Sequence, residues 1–128
     1  MREQCDVYYT SPPVYADGKP YWGTFPRPVS GEKEYGLLKA LDPLTGETRW
    51  DFRYQRAPWG GTLSTADLVF AGDEDGYVMA FDAKTGKNLW KLNTGSRIAS
   101  SPITFLVNGR QYVSVPSGSA LLTFALPQ

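Results

Sequence analysis

Ala40-Leu41-Asp42-Pro43-Leu44-Thr45-Gly46-Glu47-Thr48-Arg49-Trp50 and Ala80-Phe81-Asp82-Ala83-Lys84-Thr85-Gly86-Lys87-Asn88-Leu89-Trp90 align without a gap at an offset of 40 residues. Ala, Asp, Thr, Gly and Trp are identical in that window, and Gly36 matches Gly76 at the same offset. A unit of ~40 residues fits a propeller blade but overlaps some helical solenoids, so the pattern inside the unit has to decide.

That pattern is strand-like. From Gly76 to Asp82, Tyr77, Met79 and Phe81 share one face while Val78 and Ala80 share the other, so both faces are apolar, as in a strand buried between two layers. Asp73-Glu74-Asp75-Gly76 separates it from Asp67-Leu68-Val69-Phe70-Ala71, and Asp-Gly is a strong hairpin signal. Gly61 to Thr65 forms the innermost run and Asn88 to Leu92 the outermost, which gives four antiparallel strands. The first unit has strand-like runs near Val7 to Thr10, Tyr21 to Phe25, Tyr35 to Asp42 and Thr48 to Arg53. The third has Ile98 to Val107, Gln111 to Val115 and Ala120 to Ala125, with Asn108-Gly109 as another hairpin turn. Ten prolines, thirteen glycines and the lack of a 3.6-residue period argue against helices. The expected fold is all-β: a partial β-propeller with two four-stranded blades and three strands of a third, over about 1–56, 57–94 and 95–128.

A length of 128 residues sets one domain. Thirteen basic and thirteen acidic residues cancel, and the basic ones are scattered, which argues against nucleic acid as a partner. An apolar fraction of 41% with four Trp, eight Tyr and six Phe excludes a disordered chain. There is no histidine and one cysteine, Cys5, so Ser/His/Asp and Cys/His triads, imidazole or thiolate zinc sites and an internal disulfide are all excluded. No run of about 18 apolar residues exists to span a bilayer as a helix, and Met1 to Thr10 lacks the blocks of a secretory signal.

The repeated residues have structural tasks. The Asp carboxylate can accept hydrogen bonds from the turn that follows, the Gly supplies a positive φ, and the Trp covers the next blade. Asp42 and Asp82 therefore read as turn residues, since a residue repeated in each unit is explained by the unit. Asp73-Glu74-Asp75-Gly76 lacks the spacing of a calcium loop and reads as a turn. Ser96, Ser100, Ser101 and Ser117 have no nucleophile-elbow setting, and Cys5 reads as a buried apolar residue or a partner to a cysteine elsewhere. No catalytic residue and no metal ligand is assigned. Pro58-Trp59-Gly60-Gly61-Thr62 is different, because it opens the innermost strand of the second unit, where propeller chains line the central channel and ligands bind. It reads either as an aromatic surface for a flat ligand, or as a core Trp with glycines imposed by crowding at the axis.

The repeated A-x-D-x-x-T-G-x-x-x-W, the run from Trp59 through Gly72, and Gly95-Ser96 through Ser101-Pro102-Ile103-Thr104 resemble the C-terminal end of the quinoprotein alcohol and glucose dehydrogenases. The resemblance implies an eight-bladed propeller, pyrroloquinoline quinone (PQQ) as cofactor with calcium in the parent enzyme, small alcohol or sugar substrates, and a periplasmic location. It covers nearly all of this chain but about the last fifth of such an enzyme. Trp59 and Gly60 match the Trp-Gly that lines the family's cofactor pocket and are the two cofactor-contact candidates. The family's catalytic aspartate, calcium ligands, adjacent-cysteine pair and Trp platform have no counterpart here. The resemblance further implies that Met1 to Gln4 marks a cut into a longer protein and that Leu126 to Gln128 is a natural end.

Two functional classes follow. One is a propeller piece of a PQQ-dependent dehydrogenase that supplies blade packing and one wall of the cofactor pocket, binds PQQ weakly or not at all, and has no activity alone. The other is a non-enzymatic Trp-repeat scaffold for protein partners, as in outer-membrane assembly lipoproteins. In either class, unfinished end blades imply self-association, most simply a two-fold dimer. Trp50 and Trp90 are expected in equivalent sites, each packed on a neighbouring sheet.

Overall fold

The structure, a computed structural model, describes residues 2, 3, 6, 7, 14–18, 27–31 and 33–126. Twelve strands and no helix occur among them: β1 Arg2–Glu3, β2 Asp6–Val7, β3 Arg27–Pro28, β4 Tyr35–Leu41, β5 Thr48–Tyr54, β6 Thr62–Ser64, β7 Leu68–Gly72, β8 Tyr77–Asp82, β9 Asn88–Asn93, β10 Ile103–Val107, β11 Arg110–Ser117 and β12 Ala120–Phe124. The chain is all-β, built of antiparallel sheets in the manner of a partial propeller. The second unit is the expected four-stranded meander, β6-β7-β8-β9, and the third is β10-β11-β12. In the first unit β4 pairs with β5, and the short β1 lies along the other side of β4; β2 and β3 form a separate pair. The strand-like runs expected near 7–10 and 21–25 lie, apart from Val7, outside the described residues, as does Cys5.

The 40-residue repeat is a repeat of geometry. Ala40 stands opposite Trp50 and Ala80 opposite Trp90, and in both hairpins the register shifts immediately afterwards. The turns match as well: Asp42 N–H bonds Glu47 O at 2.8 Å and Gly46 N–H bonds Asp42 O at 2.9 Å, while Asp82 with Lys87 and Gly86 with Asp82 repeat this at 2.9 Å each. At the third unit's hairpin, Asn108 and Gly109 have φ of 50° and 77°, the pair of positive values that a type I′ turn requires.

One strand reading needs correction. Residues 98–102 are not part of β10, because the Ile98 amide is taken by the Asp73 carbonyl at 2.9 Å and Pro102 has no amide to give to a ladder. This segment instead crosses from the second sheet to the third, with the Ile98 side chain fully buried.

The two apolar faces of β8 find two different partners. On one face, Met79 and Phe81 pack with Leu38, Tyr54 and Ala71, flanked by Trp50 and Phe52 of the first unit. Phe52 meets Phe81 at 4.9 Å between ring centroids. On the other, Val78 packs with Ile98 and Val115, flanked by Leu122 and Phe124 of the third unit. The middle sheet is thus covered on both sides, which is why its central strand carries no polar face.

Trp50 and Trp90 occupy equivalent backbone positions but not equivalent surroundings, contrary to expectation. The Trp50 indole donates from Nε1 to the Ala83 carbonyl at 2.9 Å and stacks on Phe81 at 6.4 Å. A Cβ at Gly86 would lie 2.6 Å from its ring, so the repeated Gly serves close approach as well as turn geometry. Trp90 meets Phe124 edge-on at 5.2 Å and stays 38% exposed. The reason is local: Trp50 faces an Asp-x-x-Thr-Gly turn in the next unit, and residues 120–128 contain no such turn.

Candidate functional site

The acidic residues singled out in the sequence are used by turns. Asp82 Oδ1 accepts from the amides of Lys84 at 3.0 Å and Thr85 at 2.8 Å, and from the Thr85 hydroxyl at 2.9 Å. Asp42 Oδ1 accepts from the amides of Leu44 and Thr45, and its other oxygen pairs with Arg49. These contacts favour the ionised carboxylates. The Thr85 hydrogen bonds hold Asp82 below its ordinary 3.8, and the Arg49 guanidinium, followed by the Leu44 and Thr45 amides, does the same for Asp42. Because both values are depressed on folding, the turn contacts are in place above 3.8 and are lost as pH falls through the lower folded values. Carboxylate titration by NMR should therefore show Asp82 and Asp42 midpoints below the ordinary 3.8; midpoints at or above 3.8 would contradict the turn assignment.

Asp73-Glu74-Asp75 behaves in the same way. Asp73 Oδ1 accepts from the amides of Asp75 and Tyr77, Asp75 pairs with Arg56 at 2.6 Å, and Glu74 faces Arg97 at 4.0 Å. Asp73 and Asp75 are thus engaged separately, Glu74 Oε1 is buried without a hydrogen-bond partner among the described residues, and the three carboxylates form no group that could hold a metal ion. Among the serines, the Ser117 hydroxyl bonds Thr94 at 2.7 Å and the Ser96 carbonyl at 3.1 Å, fastening the third sheet to the 94–98 crossover.

Trp59-Gly60-Gly61 lies just before β6, against the 98–101 crossover. A Cβ at Gly60 would sit 3.1 Å from the carbonyl oxygens of Ile98 and Ser100, and one at Gly61 would meet the Ser101 hydroxyl at 2.1 Å. The glycines are therefore explained by crowding between two backbone segments. Trp59 is not a core residue, since 63% of it is exposed. Of the reading as a core Trp with crowded glycines, the crowding holds and the core placement of Trp59 does not. Beside it, a pocket of about 330 Å³ is lined by Arg97, Ala99, Ser100, Pro116 and Gly118, on the same crossover that Gly60 abuts.

The motif thus combines a Trp59 side chain that is 63% exposed with a Gly60 backbone packed against the crossover, and the pocket on that crossover adds Arg97 and Ser100. Among the described residues no group of three or more His, Cys, Asp or Glu could hold a metal ion. The sequence reading did not single out Arg97, because nothing in a scattered set of cations marks the one that the crossover carries to this pocket.

Residues 53–113 match the PQQ family described as glucose/ethanol/alcohol dehydrogenase, beta-propeller domain. The chain is 43% identical over 113 residues to a quinoprotein ethanol dehydrogenase of Pseudomonas aeruginosa, over 87% of this chain and 18% of that protein. A solved europium-containing methanol dehydrogenase superposes with a TM-score of 0.67 at 32% identity, over 89% of this chain and 22% of that one. BamB from Moraxella catarrhalis superposes with a TM-score of 0.56 at 27% identity, over 76% of this chain and 31% of that one. The chain spans less than a fifth of the length of the curated relatives it matches. Identity is higher to the dehydrogenases than to BamB, so the scaffold reading is not the one favoured.

Proposed function

We propose that this chain, whose sequence and fold match a portion of the PQQ-dependent alcohol dehydrogenases, is a propeller segment that contributes blade packing and one wall of a PQQ pocket. The observation that carries this reading is the exposure of Trp59 beside glycines whose own conservation of space is accounted for by packing. An exposed indole face is a surface on which a flat quinone can stack. In this reading Trp59 would face the ring system, and Gly60, packed against the Ile98 and Ser100 carbonyls, would hold the Trp59 backbone at the wall. When bound, the quinone supplies two-electron oxidation of the substrate. Relatives are named for ethanol, 1-butanol and methanol, which supports alcohols ahead of sugars as the substrate class of the parent enzyme. Calcium and a periplasmic location belong to the same proposal for the parent enzyme.

One wall does not make a site. A polyanionic quinone needs cations or a metal around its carboxylates, and the cation lining the pocket on the crossover that Gly60 abuts is Arg97, which also faces Glu74 at 4.0 Å. The chain alone is expected to bind PQQ with a Kd above about 1 mM, worth no more than ~4 kcal/mol, and to show no dehydrogenase turnover. Titrating PQQ against tryptophan fluorescence, corrected for quinone absorbance, tests this. Weak, unsaturated quenching that Trp59→Ala removes is the expected result. Quenching unchanged by Trp59→Ala would overturn the wall, and saturable micromolar binding would overturn the incompleteness of the site.

A further inference from the structure

The two end sheets present opposite kinds of surface. The third sheet turns Val115, Leu122 and Phe124 toward the second. Alternation along its strands therefore puts Ile103, Phe105 and Val107 of β10, Tyr112 of β11 and Leu121 of β12 on the side that faces away. Ile103 is 57% exposed, Phe105 40%, Val107 47% and Leu121 65%, so this apolar face is open to water in a single copy. Its polar members make few demands. The Ser114 and Thr123 hydroxyls bond each other at 2.6 Å, and Arg110, at the rim, lies over the Tyr112 ring and donates to the Leu126 carbonyl. Phe105 stacks on Tyr112 with ring planes 11° apart, which flattens the middle of the face.

The outer face of the first sheet is charged. Leu38, Phe52 and Tyr54 pack toward the second sheet, so Lys39, Asp51 and Arg53 stand on the other side, all exposed, with Arg53 over the Tyr35 ring at 4.8 Å. Stacking the third sheet of one copy on the first sheet of another would take those three charges out of water. Stacking two third sheets buries apolar side chains from both copies and no carboxylate, because residues 103–124 contain neither Asp nor Glu. The surface that matches this face is therefore the same face of a second copy. Three strands of about five residues, ~4.8 Å apart and rising ~3.3 Å per residue, span roughly 14 by 17 Å. A contact of that extent is at the small end of specific interfaces, and half-association at about 10 to 100 µM is expected.

We propose that two copies of this chain associate through the outer faces of their third sheets, packed face to face about a two-fold axis that runs across the strands. Each third sheet then gains the second covering layer that β6 to β9 already have, and the two Arg110 side chains fall at opposite ends of the contact. The contact joins one patch to itself, so association closes at two copies.

Sedimentation velocity up to several hundred micromolar tests this with three variants. Leu121→Lys and Phe105→Lys each set a charge on the face at a side chain that already reaches water in a single copy. Leu106→Lys sets the same charge on the opposite side of β10, at a residue that is 70% exposed. Circular dichroism checks that each variant keeps the β-sheet spectrum of the parent. The parent should pass from monomer to dimer and grow no further, and Leu106→Lys should follow it. Leu121→Lys and Phe105→Lys should each weaken the dimer by about tenfold or more, because each buries an unpaired charge in the contact. A parent that stays a 14.2 kDa monomer overturns the proposal. So does a dimer that survives both face substitutions, an equal loss in Leu106→Lys, or growth past two copies.

Discussion

Replacing Trp50 with alanine is expected to cost about 3 kcal/mol of folding stability, at the lower end of the range for large aromatic truncations because the indole is half-buried. The loss has three sources on the structure: the Phe81 and Gly86 surfaces that the ring covers, the cavity left between the first and second sheets, and the Ala83 carbonyl deprived of its donor. The hydrogen bond accounts for ~1 kcal/mol of this. Trp90→Ala should cost about 1.5 kcal/mol, since the indole has no hydrogen bond to another described residue and the ring covers less of its neighbour. Urea denaturation followed by circular dichroism gives both values. Equal losses at the two positions would show that the turn, present for one tryptophan and absent for the other, does not decide how well the ring docks.

Ile98→Ala should cost about 3 to 4 kcal/mol, because its side chain is fully buried in a cluster of only three buried residues. Ile98 stands where Gly72 has no side chain: a Cβ on Gly72 would fall 2.2 Å from its Cγ2. On the Gly72 side the space is therefore filled by Ile98 alone, and the glycine has no side chain to close the gap. The damage should also be regional. The cluster around Phe81 belongs to the contact between the first and second sheets and does not include Ile98, whereas Val78 and Val115 lose their shared partner. Native-state hydrogen exchange should show faster exchange in β10 to β12 than the global loss requires, with β4, β5 and β8 tracking the global value. Uniform acceleration over all sheets would mean that the third sheet is not held chiefly through Ile98.

The repeat at 40–50 and 80–90 was enough to set the architecture, because each of its residues acts through local chemistry that a sequence displays. Asp accepts from amides two and three residues on, Gly adopts a positive φ, and both hairpins shift register after the same Ala-Trp pair. The two-faced burial of Tyr77–Asp82 was legible for the same reason, since alternation along a strand is a property of the strand itself. The likeness of Trp59–Gly72 to a quinone-dependent family was also present in the residues. What the sequence could not contain is who stands opposite whom across units. Gly36 and Gly76 are identical in the alignment, yet Gly36 is needed because Pro58 packs where its Cβ would be, and Gly76 because its φ is 86°. Trp50 and Trp90 are identical too, and only the presence of a receiving turn in the next unit separates a docked indole from a half-exposed one. The same holds at the candidate site, where crowding against Ile98 and Ser100 explains Gly60 and the fold alone keeps Trp59 out of the core. Local hydrogen bonding and backbone geometry extend over a few residues and are written in order along the chain, whereas packing between sheets joins residues tens of positions apart and is decided only when the chain has folded.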